Sequence, residues 1–276
     1  MSSATPHYGL RRTPPFGVLQ ELCDMSDPTT RDGYHEVEWT PQAVRRFWDF
    51  YGANEAGEDS YFSKKFGARI VGMAERHAEL TGTVVDVGCG PGFLSEELLR
   101  RGYMVRAVDS SARSVQRVQT RLAGRRGFLG AEVGELAALP LPDAEAGALF
   151  LVEVLEHLPE AHRERVLDEV SRVVRPGGIF VATTPHAEDL DANKIACPEC
   201  GCVFHRMQHM QSLDAARMRA LLAQHGFDPL FVAALNFRHF PNRWLGRLVR
   251  FAAERVRAFG AAATPHLLAI GRRRNG

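Results

Sequence analysis

From residue 82 onward the chain alternates short runs that are apolar almost throughout with longer stretches whose apolar residues recur every three or four positions. The apolar runs are TVVDVG, YMVRAVD, GFLGAEV, ALFLVE, GIFVATT, PLFVAALNF and HLLAIGRR. The periodic stretches are PGFLSEELLRRG, SARSVQRVQTRLAG, PEAHRERVLDEVSRVV and DAARMRALLAQHG. Runs without polar alternation are strands covered on both faces, and their alternation with amphipathic helices specifies an α/β fold. The pattern predicts a doubly wound, mostly parallel sheet of seven strands. Upstream, Thr40 before Pro41 is a helix-start signal, and helical spacing continues to Leu80, which predicts helices preceding the sheet.

Three stretches break the alternation. Residues 1–38, rich in Pro, Gly, Ser and Thr, read as an irregular N-terminal arm. A segment bearing Cys and His, residues 186–212, is inserted after the fifth strand, and a basic amphipathic insert spans 236–262. The body, 39–276, then reads as one domain, with helices over 39–81 and a core over 82–185. In NRWLGRLVRFAAERVRAFG an apolar stripe from Trp244 to Phe259 is set against Arg243, Arg247, Arg250 and Arg257. Such a helix either docks on its own domain or makes peripheral contact with an anionic membrane surface.

Composition narrows the class. At 276 residues and 45% hydrophobic content the chain can bury one sizeable core. It has no run approaching the roughly 18 apolar residues of a membrane span, and no apolar signal segment at its start, so a cytoplasmic protein is expected. The net charge of +1 is uneven, because nine arginines face the single Glu254 from Arg238 to the end. That leaves the preceding chain acidic, which argues against nucleic acid as the partner, since such affinity comes from cationic contacts with phosphates. Three of the five cysteines crowd into CPECGCVFH, a pattern of metal ligands or free thiols rather than of a disulfide framework.

The sharpest chemical signal is VVDVGCGPGF, where Gly88, Gly90 and Gly92 follow a strand and open a helix. Glycines permit a tight turn and close approach of a ligand to the backbone, and the helix start offers N–H donors. The dinucleotide fingerprint requires its third glycine one position later, where Phe93 stands. With Asp86 inside the strand, the pattern resembles that of class I S-adenosylmethionine-dependent methyltransferases, over about residues 82–235. The resemblance implies a Rossmann-like fold and S-adenosylmethionine as cofactor. It also implies Asp109, with Ser110 next to it, on the ribose hydroxyls, and Glu135 with Leu136 beside the adenine, although the usual Gly-Asp pair is here Gly134-Glu135. An aspartate common in that family between LPLPD and LEH is replaced by Gly147.

At the end of the fourth core strand, Glu153, Glu156 and His157 form an E-x-x-E-H motif. Ligands gather at the carboxyl ends of strands in such sheets, and one helical turn would aim all three side chains at a common point. The motif resembles that of small-RNA 3′-end 2′-O-methyltransferases and of quinone-pathway O-methyltransferases. The resemblance implies a divalent ion, Mg²⁺, Mn²⁺ or Zn²⁺, with His209 as a further ligand and His205 as its alternate. Without an ion, His157 is the candidate general base and His186 the runner-up.

The cysteine segment competes for the same histidine. Cys197, Cys200, Cys202, His205 and His209 have zinc-ligand spacing, and a zinc ion that took His209 would remove it from the E-x-x-E-H site. A lid with free thiols is the third reading of this segment. The expected function is O-methylation of a small hydroxylated substrate, a vicinal diol, catechol or sugar. The alternatives are metal-independent methylation at O, N or C with a structural zinc, RNA 2′-O-methylation, and a non-catalytic binding module of the same fold.

Overall fold

The computed structural model describes residues 33–237 and 265–275. Strands β2 (Thr83–Val87), β3 (Met104–Asp109), β4 (Phe128–Val133), β5 (Ala146–Val152), β6 (Val174–Pro185), β9 (Phe227–Leu235) and β10 (His266–Arg273) form one seven-stranded sheet. Its order is β4-β3-β2-β5-β6-β10-β9, and β10 alone runs antiparallel to its neighbours β6 and β9. All seven strands were expected from their apolar runs. Successive residues in each strand feed opposite faces: Val85, Leu149, Leu151, Leu267 and Ala269 enter one core, while Val84, Ala148, Phe150, Leu268 and Ile270 enter the other. Such two-sided burial is why these strands show no polar alternation.

Helices α2 (Phe62–His77), α3 (Phe93–Arg100) and α4 (Ala112–Leu122) cover the Phe150 face, and α5 (Glu160–Val173) and α6 (Ala215–Gln224) cover the other. The expected start at Thr40 is observed: its Oγ1 accepts from the Ala43 amide at 3.2 Å and opens α1 (Pro41–Ala53). None of the helices among the described residues is long and apolar enough to cross a membrane. Residues 238–264, which take in the basic insert from its third residue onward, lie outside the described residues, as do residues 1–32 of the arm.

Gly147 has a steric reason. A Cβ there would run into the Thr81 carbonyl oxygen, at a register shift between β2 and β5, so an aspartate would not fit.

The cysteine segment divides differently from the expected 186–212 block. Among the described residues, 33–37 and 194–204 form one compact unit, and Glu38–Asn193 with the chain from His205 onward form the other. The small unit is a three-stranded sheet of order β1-β8-β7, made from β1 (His35–Glu36), β8 (Cys202–His205) and β7 (Lys194–Ala196). Strands of two to four residues carry too little periodicity to be read from sequence, and His35 and Glu36 fell within the stretch read as irregular.

Candidate active site

The sheet reverses its order between β2 and β5, and the glycine turn leaves the carboxyl end of β2 at that switch point. Gly88, Gly90 and Gly92 all have positive φ, +69°, +50° and +84°, a conformation that side chains with a Cβ resist. At Gly88 there is a second reason, since an added Cβ would stand 2.6 Å from Val154 Cγ2. The turn is thereby in direct contact with the segment that carries Glu156 and His157.

Asp109 ends β3 beside the turn. Its Oδ2 accepts from the Gly90 amide and its Oδ1 from the Ser111 amide, both at 2.9 Å. Each oxygen keeps a further lone pair for a hydroxyl donor. Burial raises the Asp109 pKa, against the two backbone donors. Asp86 is turned inward instead: it is 2% exposed and accepts from Ser95 Oγ at 2.6 Å, tying β2 to α3, and burial lifts its pKa to about 6. Ser110 is half-buried next to Asp109. Glu135 is exposed and paired with Arg45 at 3.3 Å, while half-buried Leu136 packs on the core. Tyr61, which carried no sequence signal, lies over the turn, its Cε1 3.1 Å from where a Gly90 Cβ would be.

After β5 the expected helical turn does not form. Glu153 takes a left-handed φ of +54°, and Leu155–His157 make a single 3-10 turn. The backbone swing carries the Glu153 carboxylate toward β6 and β10, where Oε1 accepts from Thr183 Oγ1 at 2.7 Å and Oε2 lies 3.3 Å from His266 Nε2. Glu153 therefore stands apart from the cluster its neighbours form. That cluster is Glu156, His157 and His209, whose ligand atoms lie within 4.8 Å of one another.

Glu156 is 1% exposed and neither of its carboxylate oxygens has a hydrogen-bond partner. Burial, followed by the charge of Glu153, pushes its pKa well above the carboxylate range. His157 Nδ1 lies 3.5 Å from the Gln208 carbonyl, and its Nε2 lies 3.9 Å from Glu156 Oε1. Burial, then His209, lowers the His157 pKa to about 3, so the ring stays neutral. His209 gives Nδ1 to Glu188 Oε2, which leaves its Nε2 as the free acceptor. His205 is differently committed: its Nδ1 accepts the Met207 amide at 3.3 Å and the His209 amide at 3.1 Å. In the neutral ring Nε2 then holds the proton, 3.4 Å from Glu188 Oε1, and has no lone pair to offer a metal.

Glu188, Gln208, Gln211 and Trp48 complete this arrangement and were not read from sequence. Gln208 donates from Nε2 to the His157 carbonyl at 3.0 Å and accepts from Trp48 Nε1 at 2.9 Å. The Trp48 ring meets His157 edge-on at 4.7 Å. Gln211 Nε2 donates to the Leu155 and Leu158 carbonyls, at 2.8 and 2.6 Å. His186, just past β6, is half-buried with an unpartnered Nδ1. The three cysteines Cys197, Cys200 and Cys202 form their own cluster in the small unit, and Cys89 is a buried free thiol in the glycine turn.

Residues 85–182 match the family described as Methyltransferase domain. The core is a class I S-adenosylmethionine-dependent methyltransferase domain. Among curated relatives of this methyltransferase domain, the ubiquinone biosynthesis O-methyltransferase of Cupriavidus pinatubonensis is 36% identical over 104 residues, 36% of this chain and 40% of its own length. The chain spans less than two thirds of the first curated relatives it matches. Among solved structures, the domain resembles the 1,6-didemethyltoxoflavin N1-methyltransferase of Burkholderia thailandensis, with a TM-score of 0.60 at 14% identity over 88% of this chain and 94% of that one. It also resembles the (4+2)-cyclase SpnF, with a TM-score of 0.59 at 17% identity over 89% of this chain and 100% of that one. The methyltransferase fold thus carries proteins named for different reactions, and the acceptor must be argued from the site.

Proposed function

We propose that the chain transfers the sulfonium methyl of S-adenosylmethionine to a hydroxyl of a small vicinal-diol, catechol or sugar-like substrate, aided by a divalent ion. The observation that carries this reading is Glu156, a buried carboxylate with no well-formed hydrogen bond on either oxygen, clustered with two imidazoles beside the glycine turn. A buried, unpaired carboxylate is costly unless a cation meets it. Glu156, His157 and His209 would hold that ion, a donor set of one oxygen and two nitrogens that suits Zn²⁺, Mn²⁺ or Mg²⁺ and leaves positions for substrate oxygens. When bound, the ion supplies positive charge that lowers the pKa of a hydroxyl to be methylated.

The remaining work belongs to the chain. Asp109 offers lone pairs to the ribose hydroxyls, the glycine turn admits the cofactor to the backbone, and Glu188 fixes the tautomer of His209. His157 favours this reading over metal-free catalysis, because a ring with a pKa near 3 is a poor acceptor for a hydroxyl proton. Similarity to ubiquinone-pathway O-methyltransferases supports oxygen as the acceptor. A metal-independent reading rests on His186, whose unpartnered Nδ1 would be its base.

Calorimetric titration with S-adenosylmethionine, followed by assay of a catechol and diol panel with Mg²⁺, Mn²⁺ or Zn²⁺ added or withheld, tests the proposal. The expected result is cofactor binding by both the parent and Glu156→Gln proteins, with ion-dependent methylation by the parent alone. Absence of cofactor binding would sink the whole reading. Full activity of Glu156→Gln in the presence of chelator would sink the role of the ion.

A further inference from the structure

The small unit poses a stability problem of its own. Its strands are two, three and four residues long, and none of residues 33–37 and 194–204 is buried. Tyr34 and Ile195 are 53% and 45% exposed, and Val37, Val203 and Phe204 are no more than half-buried. Three short strands without apolar burial do not hold together unaided, and metal ligation or cross-linking is how such miniature sheets are stabilised.

The unit carries the means. Cys197, Cys200 and Cys202 bring their sulfurs within 4.8 Å of one another at the turn from β7 into β8. The turn is closed by the Gly201 amide donating to the Cys197 carbonyl at 2.9 Å and the Cys197 amide donating to the Cys202 carbonyl at 2.8 Å. Three thiols cannot all be satisfied by one disulfide, whereas they supply three corners of a tetrahedral site.

The strand register brings a candidate fourth donor to the same face. His35 in β1 is the parallel partner of Cys202, and its amide donates to the Gly201 carbonyl at 3.2 Å. Registered neighbours in a ladder project to the same face, so the imidazole of His35 and the sulfur of Cys202 share one side of the sheet. The histidines that follow in sequence are committed elsewhere: His205 Nδ1 accepts two amides, and His209 is held by Glu188. We propose that Cys197, Cys200 and Cys202 bind a structural zinc ion with His35 as the fourth ligand, a site separate from the cluster at Glu156. The ion would fasten β1 to the β7–β8 turn.

Cobalt(II) distinguishes the two sites, because thiolate ligands give it a near-ultraviolet charge-transfer absorption that carboxylate and imidazole ligands do not. Reduced full-length protein, stripped of metal and titrated with Co²⁺, is expected to show this band, and Zn²⁺ is expected to displace it at one equivalent. The band should vanish in Cys197→Ser and Cys200→Ser and persist in His209→Ala and Glu156→Gln. In His35→Ala the apparent affinity should fall by an order of magnitude or more. Retained S-adenosylmethionine binding in each variant shows that the main body is folded. The proposal is overturned by the absence of a thiolate band, by loss of the band in His209→Ala, or by a Cys197–Cys200 disulfide in protein purified under reducing conditions. An unchanged affinity in His35→Ala overturns the assignment of the fourth ligand.

Discussion

Glu188 has two oxygens and answers to two histidines. It takes the His209 Nδ1 proton on one oxygen and faces His205 Nε2 with the other, and Asn193 steadies it at 3.0 Å. A carboxylate behind a ligand histidine fixes which nitrogen is free, so Glu188→Gln should weaken divalent-ion binding about 10- to 100-fold. Isothermal titration with Mn²⁺ would measure this, and S-adenosylmethionine affinity should be unchanged, because Glu188 touches none of the cofactor-turn residues. The His157–Gln208–Trp48 chain was invisible in the sequence for a related reason. These partners lie 51 and 160 positions apart, and no spacing rule connects residues brought together only by tertiary packing. Glu156 and His157 were legible because they are neighbours at a strand end. Glu153 was misplaced, because a left-handed residue interrupts the helical turn that would have grouped it with them.

The turn bearing Glu156 and His157 depends on α5 through one buried charge. Arg163 is 1% exposed; it donates to Glu164 at 2.6 Å, to Glu160 at 3.1 Å and to Gln211 Oε1. Gln211 in turn holds the carbonyls on either side of the Glu156-His157 pair. Arg163→Ala should cost about 3 kcal/mol, the lower end for breaking a buried pair, because Glu160 and Glu164 can turn to water once the guanidinium is gone. Urea denaturation would give the loss in stability, and a parallel drop in Mn²⁺ affinity would show that the turn has slackened. The long elements on which this rests were readable from periodicity, and α1 also from its cap Thr40; Ser111 and Asp214 likewise accept an amide at a helix start but were not read as caps. The strands of the small unit were not, since two to four residues do not establish a period.

For the whole molecule, the inward-facing Asp86 sets a pH dependence of stability. Its folded pKa of about 6 exceeds the ordinary 3.8, so between those values the folded protein holds a proton that the unfolded chain has released. The stability contributed by the protonated form is complete below pH 3.8 and is lost as pH rises through 6. The change is on the order of 3 kcal/mol at its limit. Denaturation of Asp86→Asn beside the parent, at about pH 4 and about pH 7, should show a shallower fall for the variant; parallel curves would refute the assignment. The seven strands and their burial on both faces followed from the apolar runs, because two-sided burial leaves an unbroken hydrophobic signature, whereas the order of the strands did not.

The missing Cβ of Gly88 leaves room for Val154, and that contact joins two binding events. A cofactor that presses on the glycine turn presses on the residue two positions before Glu156, with no solvent layer between them to absorb the movement. Whatever factor the ion contributes to cofactor affinity, the cofactor must return to ion affinity, since the coupling free energy is the same in both directions. Cofactor titrations with and without Mn²⁺, and Mn²⁺ titrations with and without cofactor, would close that thermodynamic square.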